Sequence, residues 1–103
     1  MMPTYDRAGH AISQSQWAEL HTEEYKRVGL QRYEGDVSVS TVWLGLDHSF
    51  GHGELEIFET MIFGPDGYPY NEACMRYATE AEAITGHRRT CHDVEHGNRP
   101  WFL

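Results

Sequence analysis

The chain has 103 residues, enough for one hydrophobic core and not for two, and at 40% hydrophobic and 13% aromatic residues its composition is that of a folded globule. No apolar run approaches the ~20 residues that a membrane helix needs, and the start "MMPTYDRAGH" has no basic segment followed by an apolar one, so a soluble, intracellular protein is expected. The net charge of -8 is unevenly spread: between Tyr33 and Met75 there is no Lys or Arg, while Glu34, Asp36, Asp47, Glu54, Glu56, Glu59, Asp66 and Glu72 all fall there. Such a block repels nucleic-acid phosphate, so direct DNA or RNA binding is not expected; it suits a basic protein partner, or simply solubility.

In chain order, "DRAG" (residues 6–9) has turn chemistry. Ser13 and Gln16 form a capping box, with Ile12 and Trp17 at hydrophobic-staple positions, which predicts a helix from about Gln14 to His21. "YKRVGLQRY" (Tyr25 to Tyr33) reads as a strand, "EGD" as a turn, and the β-branched "VSVSTVWLGL" (Val37 to Leu46) as the strongest strand of the chain. "ELEIFETMIF" (Glu54 to Phe63) follows it across "DHSFGHG", making a hairpin, and "EACMRYA" is a further short strand. "TEAE" (Thr79 to Glu82) is a second capping box, opening a helix toward about Glu95 whose apolar stripe is Ala81, Ile84, Cys91 and Val94, with His87 on the same face. Residues 97–103 are expected to form an extended tail in which Trp101 and Phe102 need a surface to cover. The expected fold is one α+β domain over residues 1–103: a three- or four-stranded, mainly antiparallel sheet with a helix before the central hairpin and one after.

Centring the hairpin on Phe50 sets Val37, Val39, Thr41 and Trp43 on one face with Ile57, Glu59, Met61 and Phe63. Glu59 then interrupts an apolar row opposite Thr41, either as an acid or base in a cleft or as a structural carboxylate bonded to Thr41, a histidine or Arg76. Asp47, His48 and His52 have the donor chemistry of a zinc or manganese site, but no HExxH or CxxC spacing accompanies them, and Asp47 also suits a turn cap. His87 and Cys91 stand four apart, as do His92 and His96; the two pairs face directions about 100° apart, so one metal could use only one pair. Cys91 falls mid-helix on the buried stripe, where thiols are inert. Two cysteines without a secreted context read as reduced thiols, and no metal or cofactor is expected.

Three stretches, "YDRAGHAIS..QW", "VSTVWLGLDHSFG......IFETMIFG" and "RYATEAEAITGH", together resemble a family of small, uncharacterised phage and prophage proteins. The likeness runs from about Tyr5 to His87, its central motif being "STVWLGLDH" followed by "FETM"; the histidine-rich end "HRRTCHDVEHGNRPWFL" departs from it. The family supplies no catalytic residue. The resemblance implies a phage accessory protein in the host cytoplasm that acts by binding, and by analogy an inhibitor of a host defence system of the anti-CRISPR kind, its partner a basic, nucleic-acid-handling protein such as a CRISPR effector subunit. The contact residues expected for it are Asp47, Glu54, Glu56 and Asp66 from the acidic block and Trp101 and Phe102 from the tail, which could equally serve a homodimer. A small metal-assisted hydrolase built on Asp47, His48, His52 and Glu59, and a virion or assembly component, remain as alternatives.

Overall fold

The computed structural model describes residues 3–70 and 74–97. The elements run β1 (Thr4–Tyr5), β2 (Ala11–Ile12), α1 (Gln14–Leu20), α2 (Glu23–Lys26), β3 (Arg27–Tyr33), β4 (Val37–Trp43), β5 (Phe58–Phe63), β6 (Met75–Tyr77) and α3 (Glu80–Glu95). β3, β4, β5 and β6 form an antiparallel meander in that spatial order, and β1 pairs with β2 in a separate two-stranded sheet, giving the α+β architecture. No described helix is long and apolar enough to cross a membrane.

The helix starts follow from their caps. Ser13 accepts from the Gln16 amide while the Gln16 side chain accepts from the Ser13 amide, which satisfies two otherwise orphaned donors of α1. Thr79 accepts from the Glu82 amide, but its hydroxyl donates to the Glu82 carboxylate, so the reciprocal half of that capping box is replaced by a side-chain pair. α2 is an element the sequence reading ran into the strand. Thr22 caps it by accepting from the Tyr25 amide, Glu23 and Glu24 occupy its first turn and Lys26 its last, so the charges follow the helix dipole. The strand therefore begins at Arg27 and not at Tyr25.

The central hairpin forms, with a different register and shorter strands. Thr41 pairs with Thr60, Val42 with Glu59 and Trp43 with Phe58, one residue displaced from a hairpin centred on Phe50. The cause lies after Trp43. Leu44 and Gly45 both donate to the Ile57 carbonyl, Gly45 takes a left-handed φ of 77°, and Leu46 then leaves β5 to bridge Thr4. A Cβ at Gly45 would collide with the Trp17 and Trp43 rings, so only glycine fits both the dihedral and the space. Because the side-chain period of a strand is two, the one-residue shift exchanges faces. Val39, Thr41 and Trp43 are buried with Phe58, Thr60 and Ile62, and Glu59 points to the other face, correcting its placement in the apolar row.

α3 lies over the buried face of the meander. Its inward residues are Ala83, Gly86 and Val94, with His87 and Cys91 half-buried; Ala81, expected in the stripe, is exposed. Gly86 lets the Tyr77 ring lie directly against the helix, at a distance no Cβ would allow. Two apolar clusters result. One gathers Trp43, Ile57, Phe58 and Ala83 under Trp17, Leu20 and Tyr25; the other joins Val39, Ile62 and Val94. Arg7 clasps the first from outside, donating to the Glu80 carboxylate at 2.6 Å and to the Tyr25 carbonyl at 2.9 Å.

Candidate functional sites

The loop from Asp47 to Glu56 carries most of the residues singled out by type. Asp47 is buried, at 6% exposure. Its Oδ1 accepts from the Ser49 amide at 2.9 Å and the Glu56 amide at 3.0 Å, and its Oδ2 accepts from the Ser49 hydroxyl at 2.9 Å. Burial pushes its pKa up, but those three donors and nearby His48 outweigh it, so the carboxyl sits below its ordinary value. Asp47 is therefore the brace of the loop, and neither a solvent-facing contact residue nor a free ligand. His48 donates its amide to the Glu56 carbonyl, while its Nδ1 is buried without a partner among the described residues. His52 is exposed, and no group of three or more His, Cys, Asp or Glu side chains that could hold a metal occurs among the described residues. Replacing Asp47 with alanine leaves the Ser49 and Glu56 amides without an acceptor. A loss of about 1–3 kcal/mol is expected, measured by urea denaturation at neutral pH, with the midpoint lowered and the slope unchanged.

A second constellation joins residues that sequence reading had not connected. The Tyr77 hydroxyl donates to Thr60 Oγ1 at 3.1 Å, Thr60 and Thr41 share a hydrogen bond at 2.6 Å, and Thr41 Oγ1 lies 2.7 Å from His87 Nδ1. Each buried hydroxyl proton finds an acceptor if the chain is ordered Tyr77 to Thr60 to Thr41 to His87. That order makes His87 Nδ1 the acceptor and leaves the proton on Nε2, which faces Cys91 Sγ at 3.6 Å. Burial lowers the pKa of His87 and raises that of Cys91, so at neutral pH the pair is imidazole and thiol, without the thiolate a nucleophile needs. Beyond Cys91, the Tyr33 hydroxyl donates to its carbonyl at 3.4 Å and to Glu95 at 2.6 Å; burial and then Glu95 raise the Tyr33 pKa.

Glu59, on the opposite face of the sheet, accepts from Arg76 Nε at 3.0 Å and lies 3.5 Å from Cys74 Sγ. Of its three expected structural partners it has Arg76, one strand over in register. Burial, with Glu59 adding to it, raises the pKa of Cys74, so this thiol is also protonated at neutral pH.

Apart from Glu59 within β5 and Glu72, which falls outside the described residues, the acidic block is divided between the two ends of the meander. Glu34 and Asp36 lie in the β3–β4 turn, and Asp66, whose Oδ1 accepts from the Tyr68 amide, follows β5 at that same end. Glu54, exposed, and Glu56, half-buried, sit at the other end with Asp47. Glu54 and Asp66 therefore belong to different surfaces. Trp101 and Phe102 fall outside the described residues. Comparison with protein-family models, with curated proteins and with solved structures gives no match.

Proposed function

We propose that this chain is a phage or prophage accessory protein that acts by binding: an acidic inhibitor of a host nucleic-acid-handling defence system, of the anti-CRISPR kind. The supporting observation is the allocation of its charges. Arg7, Lys26, Arg27 and Arg76 are occupied by Glu80, Glu23 and Glu59. Glu34, Asp36, Glu54 and Asp66 are exposed and in no ion pair among the described residues. Four exposed, unpaired acids thus stand at the two ends of the sheet, with Arg32 the nearest base at the β3–β4 end, and there they can enter a groove built for a phosphate backbone. The family resemblance supplies the biological setting, and a CRISPR effector subunit is the partner class it suggests.

Glu34→Lys and Glu54→Lys test the two ends separately, since each is an exposed change expected to cost under ~0.5 kcal/mol. Wild type and variants are compared in two assays: capture of partners from bacterial host lysate across a salt series, and block of DNA binding by purified CRISPR effector complexes. At least one variant should lose capture and inhibition together, and wild-type capture should weaken as salt rises. Equal capture with equal salt sensitivity in all three proteins would refute the acidic-surface reading.

A further inference from the structure

We infer that Phe50 is an anchor side chain for a protein partner whose pocket is apolar at its floor and rimmed by Lys or Arg. This rests on the binding reading above and names the contact. Phe50 sits at the tip of the Asp47-braced loop, 70% exposed, with a left-handed φ of 54°. An aromatic residue is disfavoured in that region, where its Cβ crowds its own backbone, and a ring this exposed returns little burial to offset the strain. The same loop places glycine at its other left-handed positions, Gly51 and Gly53. Folding alone would favour glycine at position 50 as well; the residue found there breaks the local rule with little burial in return. Tyr68, equally exposed at 72%, has no such strain and carries a hydroxyl that water can solvate.

The rest of the loop suits a contact. The Asp47 carboxylate ties the amides of Ser49 and Glu56 together, and the His52 amide donates to the Ser49 carbonyl, so the loop is held on both sides of Phe50. A ring presented from a braced loop loses little conformational freedom on docking, and buried aromatic anchors carry a large share of interface energy. The charge around it selects the partner's rim. Glu54 is exposed beside the loop, Glu56 is half-buried, and no Lys or Arg occurs anywhere between Tyr33 and Met75. A basic rim therefore meets attraction from Glu54 and Glu56, and an acidic rim meets repulsion from them.

Two measurements on the full chain test this. In the first, Phe50→Gly is expected to raise the melting temperature, by on the order of 4 °C, because it relieves the left-handed strain and removes an exposed ring. A lowered melting temperature would mean that Phe50 is held by packing and would overturn the inference. In the second, p-benzoylphenylalanine replaces Phe50 and, as a control, the exposed Ala81 of α3; each protein is irradiated in host lysate and the cross-linked peptide is mapped. The expected result is a cross-link at position 50 alone, to a peptide combining apolar residues with Lys or Arg. No cross-link, a cross-link equal to the control, a peptide without basic residues, or a peptide from a second copy of this chain would each overturn it. If Glu34→Lys or Glu54→Lys abolishes capture while position 50 does not cross-link, the anchor fails and the acidic-surface reading stands. If position 50 cross-links while both charge variants capture normally, the acidic-surface reading fails by itself.

Discussion

Trp43→Ala should destabilise the protein by about 3–5 kcal/mol. Trp43 is fully buried, and it ties three parts of the fold together. Its Nε1 donates to the Tyr5 carbonyl at 3.0 Å, its ring receives Tyr25 edge-on at 4.8 Å, and its backbone pairs with Phe58 in the central hairpin. Alanine leaves a cavity that the Gly45 turn cannot close, because that turn is fixed by its own bonds to Ile57 and Tyr5. Against a typical domain stability of about 5–15 kcal/mol, the loss is a large fraction of the whole. Urea denaturation followed by far-ultraviolet circular dichroism measures it, and a change below about 1.5 kcal/mol would show that the N-terminal segment repacks over the gap. Trp43→Phe, which keeps most of the volume and loses the hydrogen bond, should cost less.

The features legible in the sequence were the local ones. A capping box is a relation between residues three apart, and both Ser13 and Thr79 start helices where that relation places them. The β-branched run from Val37 marks β4 because its residues favour a pleated, half-buried surface wherever they are. Register is of another kind. It depends on how the chain between Trp43 and Phe58 is consumed, and Leu46 is drawn away from β5 by a bridge to Thr4, some forty residues earlier in the chain. No pattern near the hairpin encodes that competition, so the sequence alone put Glu59 on the wrong face.

The candidate sites divide in the same way. Asp47 in a glycine-rich loop reads as a turn cap, and it is one, accepting from the Ser49 amide two residues on. What composition could not tell was that the same carboxylate also reaches Glu56, which removes it from the surface. α2 did have a signal, Thr22 followed by two glutamates, but the strand pattern beginning at Tyr25 overlapped it. The polar chain under α3 had only His87 on the apolar stripe as a signal, with nothing to name its partners. Thr41, Thr60, Tyr77 and His87 come from three strands and a helix, and each alone is an ordinary residue for its element.

That chain has a consequence for acid stability. His87 in the folded protein is held as the neutral imidazole, with Nδ1 accepting from Thr41 and burial lowering its pKa below the ordinary 6.5. A proton on Nδ1 would need the hydroxyls of Thr41, Thr60 and Tyr77 to reorient against their present acceptors. The unfolded chain, with an ordinary histidine, takes up the proton first, so in this window the unfolded state binds more protons and stability rises with pH. The contribution of His87 is therefore fully present above about pH 6.5 and is lost as the pH falls from there toward the lowered folded value. For this one group the slope is at most about 1.4 kcal/mol per pH unit. Other groups near the ring, Cys91, Tyr33 and Tyr77, have raised pKa values and stay protonated throughout that range. Urea midpoints at a series of pH values from neutral to about 4.5 should fall steeply for the wild type and less so for His87→Gln, whose side-chain oxygen can still accept from Thr41 and cannot charge. His87→Gln will be less stable than wild type at neutral pH, where the imidazole packs better, and the two curves should converge on acidification. Parallel curves would mean that His87 takes up its proton in the folded state as readily as in the unfolded one, and that the hydroxyl chain does not hold it neutral.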